Sequence, residues 1–224
     1  MSITARTSFT HANAARFAII AAMGVLALLA ALHPLSPEFA PSWRMVSEYA
    51  TGAWSWVLSL MFVSWAVSTW ALAAALRPFA GSGVAKAGLV VLIIAGVGEA
   101  MAALFDITHP LHGAAAFLGI LGLPVAAMLL GISLSRLPSW SPARTRIRLL
   151  SNMTWISVVL MGAAFGMFMT QLKAAGIEMS ADAKPLTSLP AGVVPLIGWT
   201  NRLLIVVYCA WAIVMARQAE RATR

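Results

Sequence analysis

The sequence predicts an all-α integral membrane bundle of six transmembrane helices, and three observations predict it. First, 61% of the 224 residues are hydrophobic and 10% are charged, with a mean hydropathy of +0.87. A soluble domain carries a charged fraction near ~25% and could not hide so much apolar surface. Second, six apolar runs are each long enough to cross about 30 Å of hydrocarbon, which takes roughly 20 helical residues. Third, Lys and Arg crowd the connections on one side of those runs and thin out on the other.

The runs fall at about 15–35, 53–76, 86–105, 112–135, 149–172 and 192–216. They make one membrane domain, 15–216, between an N-terminal tail 1–14 and a basic tail 217–224. Each is punctuated: Pro34 and Pro37, Arg77-Pro78, Asp106 to Pro110, Pro138 and Pro142, Lys173 to Pro190. A backbone in lipid must satisfy its own hydrogen bonds, so the runs are helices. The ~10-residue alternation of a membrane β-barrel is absent. The first run, with Arg6 and Arg16 before it and ALLAA at 27–31, resembles a weak signal peptide; it is expected to stay as the first helix. The single Cys209 rules out a disulfide framework and a CxxC metal site.

Charge placement gives an orientation. Arg6, Arg16, Arg77, Lys86, Arg136, Arg144, Arg146, Arg148, Arg217, Arg221 and Arg224 lie on the side of both termini, against Arg44, Lys173, Lys184 and Arg202 on the other. The positive-inside rule then predicts a multi-pass protein of the cytoplasmic (inner) membrane with N- and C-termini in the cytoplasm. The net charge of +8 is therefore a topology signal and a contact for anionic lipid headgroups. No aromatic-basic platform accompanies it, so no nucleic-acid partner is predicted.

Acidic residues and histidines segregate the other way. Glu38, Glu48, Asp106, Glu178 and Asp182 are placed at the outer face, Glu99 inside the third helix, and Glu220 alone on the cytoplasmic side. His33, His109 and His112 sit at outer helix ends, leaving His11 in the tail. Three pieces carry this outer cluster. They are the first loop, HPLSPEFAPSWRMVSEYATGAW at 33–54; GEAMAALFDITHPLHG at 98–113; and GWTNR at 198–202.

The same pieces carry a family resemblance. A Pro-containing first loop runs into Ser-x-Tyr-x-x-Gly (Ser47, Tyr49, Gly52); Asp106 precedes His112-Gly113; Gly198, Trp199 and Arg202 open the last helix. In this order and on six helices, over roughly residues 15 to 216, the chain resembles the domain of unknown function 998 family. The resemblance implies a prokaryotic six-helix integral membrane protein and brings no activity with it.

The candidate residues have competing readings. Glu99 and Asp106 are seven apart and would share a face of the third helix, Glu99 about 10 Å deeper. An acid at that depth costs about 2.5 kcal/mol unless it faces the bundle interior and is paired or protonated. It is either a proton-accepting or ligand-binding carboxylate, or a protonated group bonded to backbone. Asp106, His109 and His112 with His33 have the residue types of a zinc site. Against that, Pro110 breaks the register, Asp106 could stop the helix while pairing with Arg44 or Arg202, and His112 could cap the fourth helix. No metal and no cofactor is predicted, and the cluster leaves room for a bound lipid.

Ser47 is a nucleophile candidate without a Gly-x-Ser-x-Gly elbow, and with Glu48 it reads first as a cap on the second helix. Tyr49, Trp43, Trp54, Trp56 and Trp199 read as interfacial belt residues. Arg202, facing the positive end of its own helix dipole, calls for an anionic partner. Gly162 and Gly166 form a small-xxx-small pair for close helix approach, among Met residues suited to adaptable packing. Arg144, Arg146 and Arg148 form a basic loop that is solvated or touches headgroups.

The function expected is a lipid- or partner-binding accessory membrane component, with membrane lipids and other integral subunits as partners. The alternative is an enzyme acting on a lipid or other amphiphile at the outer interface. A third is a proton-coupled transporter using Glu99, although no broken-helix pair or inverted repeat supports it. The first loop is expected to fold as a lid over the third and sixth helices, with Arg44 or Arg202 neutralising Asp106.

Overall fold

Lipid offers the backbone no hydrogen-bond partner, so each apolar run closes its own helical ladder. The computed structural model describes residues 3–177 and 186–223, with side chains from His11 onward. Arg6, Glu178, Asp182, Lys184 and Arg224, used above in the charge pattern, lie outside the described side chains. Six long helices result: α1 (Ile3–Leu35), α2 (Ser55–Leu76), α3 (Gly83–Leu104), α4 (His112–Leu134), α5 (Arg144–Ala174) and α6 (Ile197–Ala222). All six are long and apolar enough to cross a membrane, and no strand occurs among the described residues. Short 3₁₀ turns at Val46–Thr51, Arg77–Phe79 and Pro138–Ala143 lie between them.

The ends differ from the apolar runs for simple reasons. α1, α5 and α6 run further at their polar ends than 15, 149 and 216, because hydropathy measures the hydrocarbon while helical bonds continue beyond it. α6 starts five residues later than 192, because Gly192 adopts φ +83° and Pro195 pushes its predecessor out of the helical region.

The helices pack in chain order as a ring, with α6 closing back on α1 and α2 reaching across to α6. The tightest approach is between α3 and α4. A Cβ on Gly98 would lie 2.5 Å from the backbone nitrogen of Gly119, and Gly122 faces Ala95. Small residues do bring two backbones together here. The pair expected to do so, Gly162 and Gly166, does not: both are exposed, and nothing lies within 4 Å of where a Cβ would be. Side-chain hydrogen bonds tie further helices, from Ser68 Oγ to the Ala18 carbonyl (2.9 Å) and from Tyr208 OH to the Ile120 carbonyl (2.6 Å). Trp54, Trp56 and Trp199 are exposed near helix ends, as belt residues are, whereas Trp43 and Tyr49 are buried beneath the first loop.

Candidate functional site

The first loop is organised by one arginine. Arg202, one turn into α6, is only 5% exposed. Its Nε donates to His33 Nε2 (2.9 Å), Nη1 donates to the carbonyls of Arg44 (2.8 Å) and Gly198 (3.0 Å), and Nη2 donates to Tyr49 OH (2.9 Å). The expected direct anionic partner is absent among the described residues; the acceptors are neutral, and four of the five guanidinium N–H groups are used. Further bonds lay the loop along α6: Gly198 N–H donates to the Ser42 carbonyl (3.0 Å) and Val46 N–H to Asn201 Oδ1 (2.9 Å). Gly198 is obligatory at this contact, since a Cβ would collide with the carbonyl oxygens of Pro41 and Arg44.

Arg44 stays inside the loop. Its Nη1 pairs with Glu48 Oε2 (2.8 Å) and donates to the Leu186 carbonyl (3.0 Å), and its guanidinium lies 4.8 Å from the Trp43 ring centroid. Glu48 Oε1 accepts the Met45 N–H (2.6 Å), so Glu48 caps the 3₁₀ turn and not α2, which begins only at Ser55. Burial raises the Glu48 carboxyl above its usual range; the Met45 bond, Arg44 and Arg202 offset this in part. Ser47 caps nothing in α2 and instead faces a cavity.

The third piece folds on itself. Asp106 lies beyond the end of α3, so it does not share a helical face with Glu99, and it is exposed. Its Oδ1 accepts from Thr108 N–H (2.8 Å) and Thr108 Oγ1 (2.6 Å), an Asx turn in which neither Arg44 nor Arg202 takes part. The Thr108 hydroxyl bond, then its backbone bond, hold this carboxyl below the usual range. His109 Nδ1 accepts the Leu111 N–H (3.1 Å) and its ring stacks on Phe105 at 4.4 Å, while His112 Nδ1 bonds the Phe105 carbonyl (2.9 Å). His33 is committed to Arg202. The four residues of the zinc alternative therefore do not converge, and no group of three His, Cys, Asp or Glu able to hold a metal occurs among the described residues.

Glu99 opens a different site. It is 4% exposed, and neither oxygen of its carboxyl meets a hydrogen-bond donor among the described residues. The Thr69 hydroxyl of α2 approaches the carboxyl but falls outside bonding geometry. Gly119 gives the side chain its passage, with Glu99 Cγ 3.7 Å from where a Cβ would stand. Beside it is a cavity of about 280 Å³. One helical face of α4, with His112, Ala115, Ala116, Gly119 and Ile120, forms one wall. Asn201, Leu204, Ile205 and Tyr208 of α6 form another, and Met45, Val46 and Ser47 of the loop close the end. Phe62, Trp65 and Met161 complete an apolar lining around a few polar groups. That composition is typical of small-molecule sites.

Of the candidates, then, the fold gathers His33, Arg44, Glu48, Tyr49 and Arg202 into a loop-locking network. It gathers Ser47, Glu99 and His112 around the cavity, and leaves Asp106 and His109 in a surface turn.

Residues 19–218 match the sequence model described as protein of unknown function (DUF998). The chain belongs to this family. No curated protein and no solved structure matches it. In this DUF998 chain Asn201 and Tyr208 also line the cavity, although neither stands out by residue type in the sequence. The signal was present: Asn201, Leu204, Ile205 and Tyr208 are spaced i, i+3, i+4 and i+7, so they share one face of α6.

Proposed function

We propose that this DUF998 protein binds an amphiphile in the Glu99 cavity and serves as a lipid-binding accessory component of the membrane. The observation that carries this reading is the pairing of a buried carboxyl, free of donors among the described residues, with an apolar cavity of about 280 Å³. A buried acceptor without a donor costs roughly 1–3 kcal/mol or more, a cost a resident group removes by donating to it. The favoured occupant places an O–H or N–H donor at Glu99 and an apolar body against Phe62, Trp65, Ile120 and Leu204. Ser47, Asn201 and His112 offer further polar contacts. The positive-inside reading puts this end of the bundle at the extracytoplasmic leaflet.

Native mass spectrometry of protein released from mild detergent tests the reading. Wild type should carry a non-covalent adduct of amphiphile mass. Ala116→Phe, which fills the cavity from α4, should lose it while remaining folded. An adduct retained unchanged by folded Ala116→Phe would sink the proposal.

A further inference from the structure

At the opposite, Arg-rich end of the bundle, the seam between α4 and α5 holds a second cavity of about 220 Å³. Arg136, Arg148 and Asn152 line it together with Met128 and Ile132. Its back wall is fixed. Gly131 lets α5 come so close that a Cβ would lie 2.5 Å from Ser151 Oγ. That hydroxyl donates to the Ala127 carbonyl (2.9 Å) and accepts from Trp211 Nε1 (3.2 Å). Arg144 Nε donates to the Ser135 carbonyl (2.7 Å), tying the start of α5 to the end of α4. The back wall of the cavity is therefore set by the inter-helix bonds of Ser151, Trp211 and Arg144.

Those arginines pair with no carboxylate among the described residues. The ion pairs among the described residues are Arg16–Glu220 and Arg44–Glu48, and neither involves α4 or α5. Arg148 Nε leans on Ser135 Oγ at 3.4 Å, and its terminal nitrogens bond nothing among the described residues. Two guanidinium groups facing one small cavity repel each other unless an anion lies between them. Guanidinium is planar and forked and binds phosphate oxygens in pairs. Met128 and the half-exposed Ile132 give the same cavity an apolar side. Free phosphate would use the arginines alone; a phospholipid would use both surfaces.

We infer that the α4–α5 seam binds an anionic phospholipid, its phosphate between Arg136 and Arg148 with Asn152 as a further donor, and an acyl chain against Ile132 and Met128. The site is separate from the Glu99 cavity, and it stands or falls independently of the function proposed there.

The test presents purified protein with mixed micelles of equal phosphatidylglycerol and phosphatidylcholine of matched chains, and reads the bound lipid ratio by native mass spectrometry. Wild type should retain phosphatidylglycerol preferentially. The Arg136→Gln/Arg148→Gln double variant should lower that preference roughly 30-fold, from about fivefold for each basic group near a headgroup. Arg217→Gln/Arg221→Gln removes the same charge elsewhere at this end and should lower it far less. Both pairs are exposed, and unchanged melting temperatures verify that each variant folds. Equal losses in the two double variants would mean diffuse surface charge and overturn the site, as would no preference in wild type. Displacement of the lipid by excess inorganic phosphate would reassign the cavity to a soluble anion and overturn the phospholipid.

Discussion

Arg202 and Glu99 are both buried, ionisable and set in the half of the bundle that carries the first loop, yet their surroundings are opposite. Arg202 is enclosed by four acceptors drawn from α1, the loop and its own helix. Glu99 has no donor at bonding distance among the described residues and has a cavity beside it. A polar side chain whose valences are filled by protein is kept for the fold. One left open beside a void is available to something that arrives. The contrast divides a cluster that the sequence presents as one, and each half can be broken separately.

The largest expected effect is at Arg202. Arg202→Met strands His33 Nε2, Tyr49 OH and the Arg44 carbonyl, and should destabilise the detergent-solubilised protein by about 3–5 kcal/mol in denaturant unfolding. Arg202→Lys should recover little, since an ammonium lacks the fork that reaches four acceptors. Gly198→Ala comes next, at about 1–3 kcal/mol, because the new methyl meets two loop carbonyls. Gly162→Ala, with nothing within 4 Å, should stay within about 0.5 kcal/mol of wild type in the same measurement.

Two smaller effects have opposite pH signs. The Glu48 carboxyl is raised above 4.5, mainly by burial. Its stabilising contribution is therefore complete below 4.5 and is lost as pH rises through the ordinary carboxylate range to the raised value. Glu48→Gln should flatten that decline in melting temperature measured across acidic pH. Asp106 is shifted the other way, below 3.8. Its contribution is present above 3.8 and lost as pH falls through the lowered value. In Thr108→Val the carboxyl should titrate closer to 3.8 by NMR, with no loss of fold.

The sequence made the bundle legible because membrane thickness imposes a length on every apolar run, and Pro and charge mark the ends. It made the importance of the first loop legible for a related reason: Arg44, Glu48, Tyr49 and Arg202 are costly residues to place among apolar helices. Their pairing was not. Asp106 as a partner for Arg202 follows from charge alone, but Thr108, two residues away, satisfies Asp106 locally. The Arg44 carbonyl of the loop and the Gly198 carbonyl of α6 help satisfy Arg202, and such backbone acceptors leave no mark in a residue pattern. Glu99 stood out by its depth. The cavity beside it did not, because its walls are ordinary Ala, Gly and Leu whose spacing reads equally as packing.

The most direct test takes both numbers from one sample of Glu99→Leu: its melting temperature and its bound amphiphile. Leucine keeps much of the volume and removes a carboxyl that meets no protein donor among the described residues, which offsets the lost contribution of the bound amphiphile, so stability should stay within about 2 kcal/mol of wild type. Glu99→Leu should stay folded, within that margin of wild type, with the amphiphile adduct gone. A Glu99→Leu protein that keeps the adduct, or one that unfolds as readily as Arg202→Met, would contradict the account.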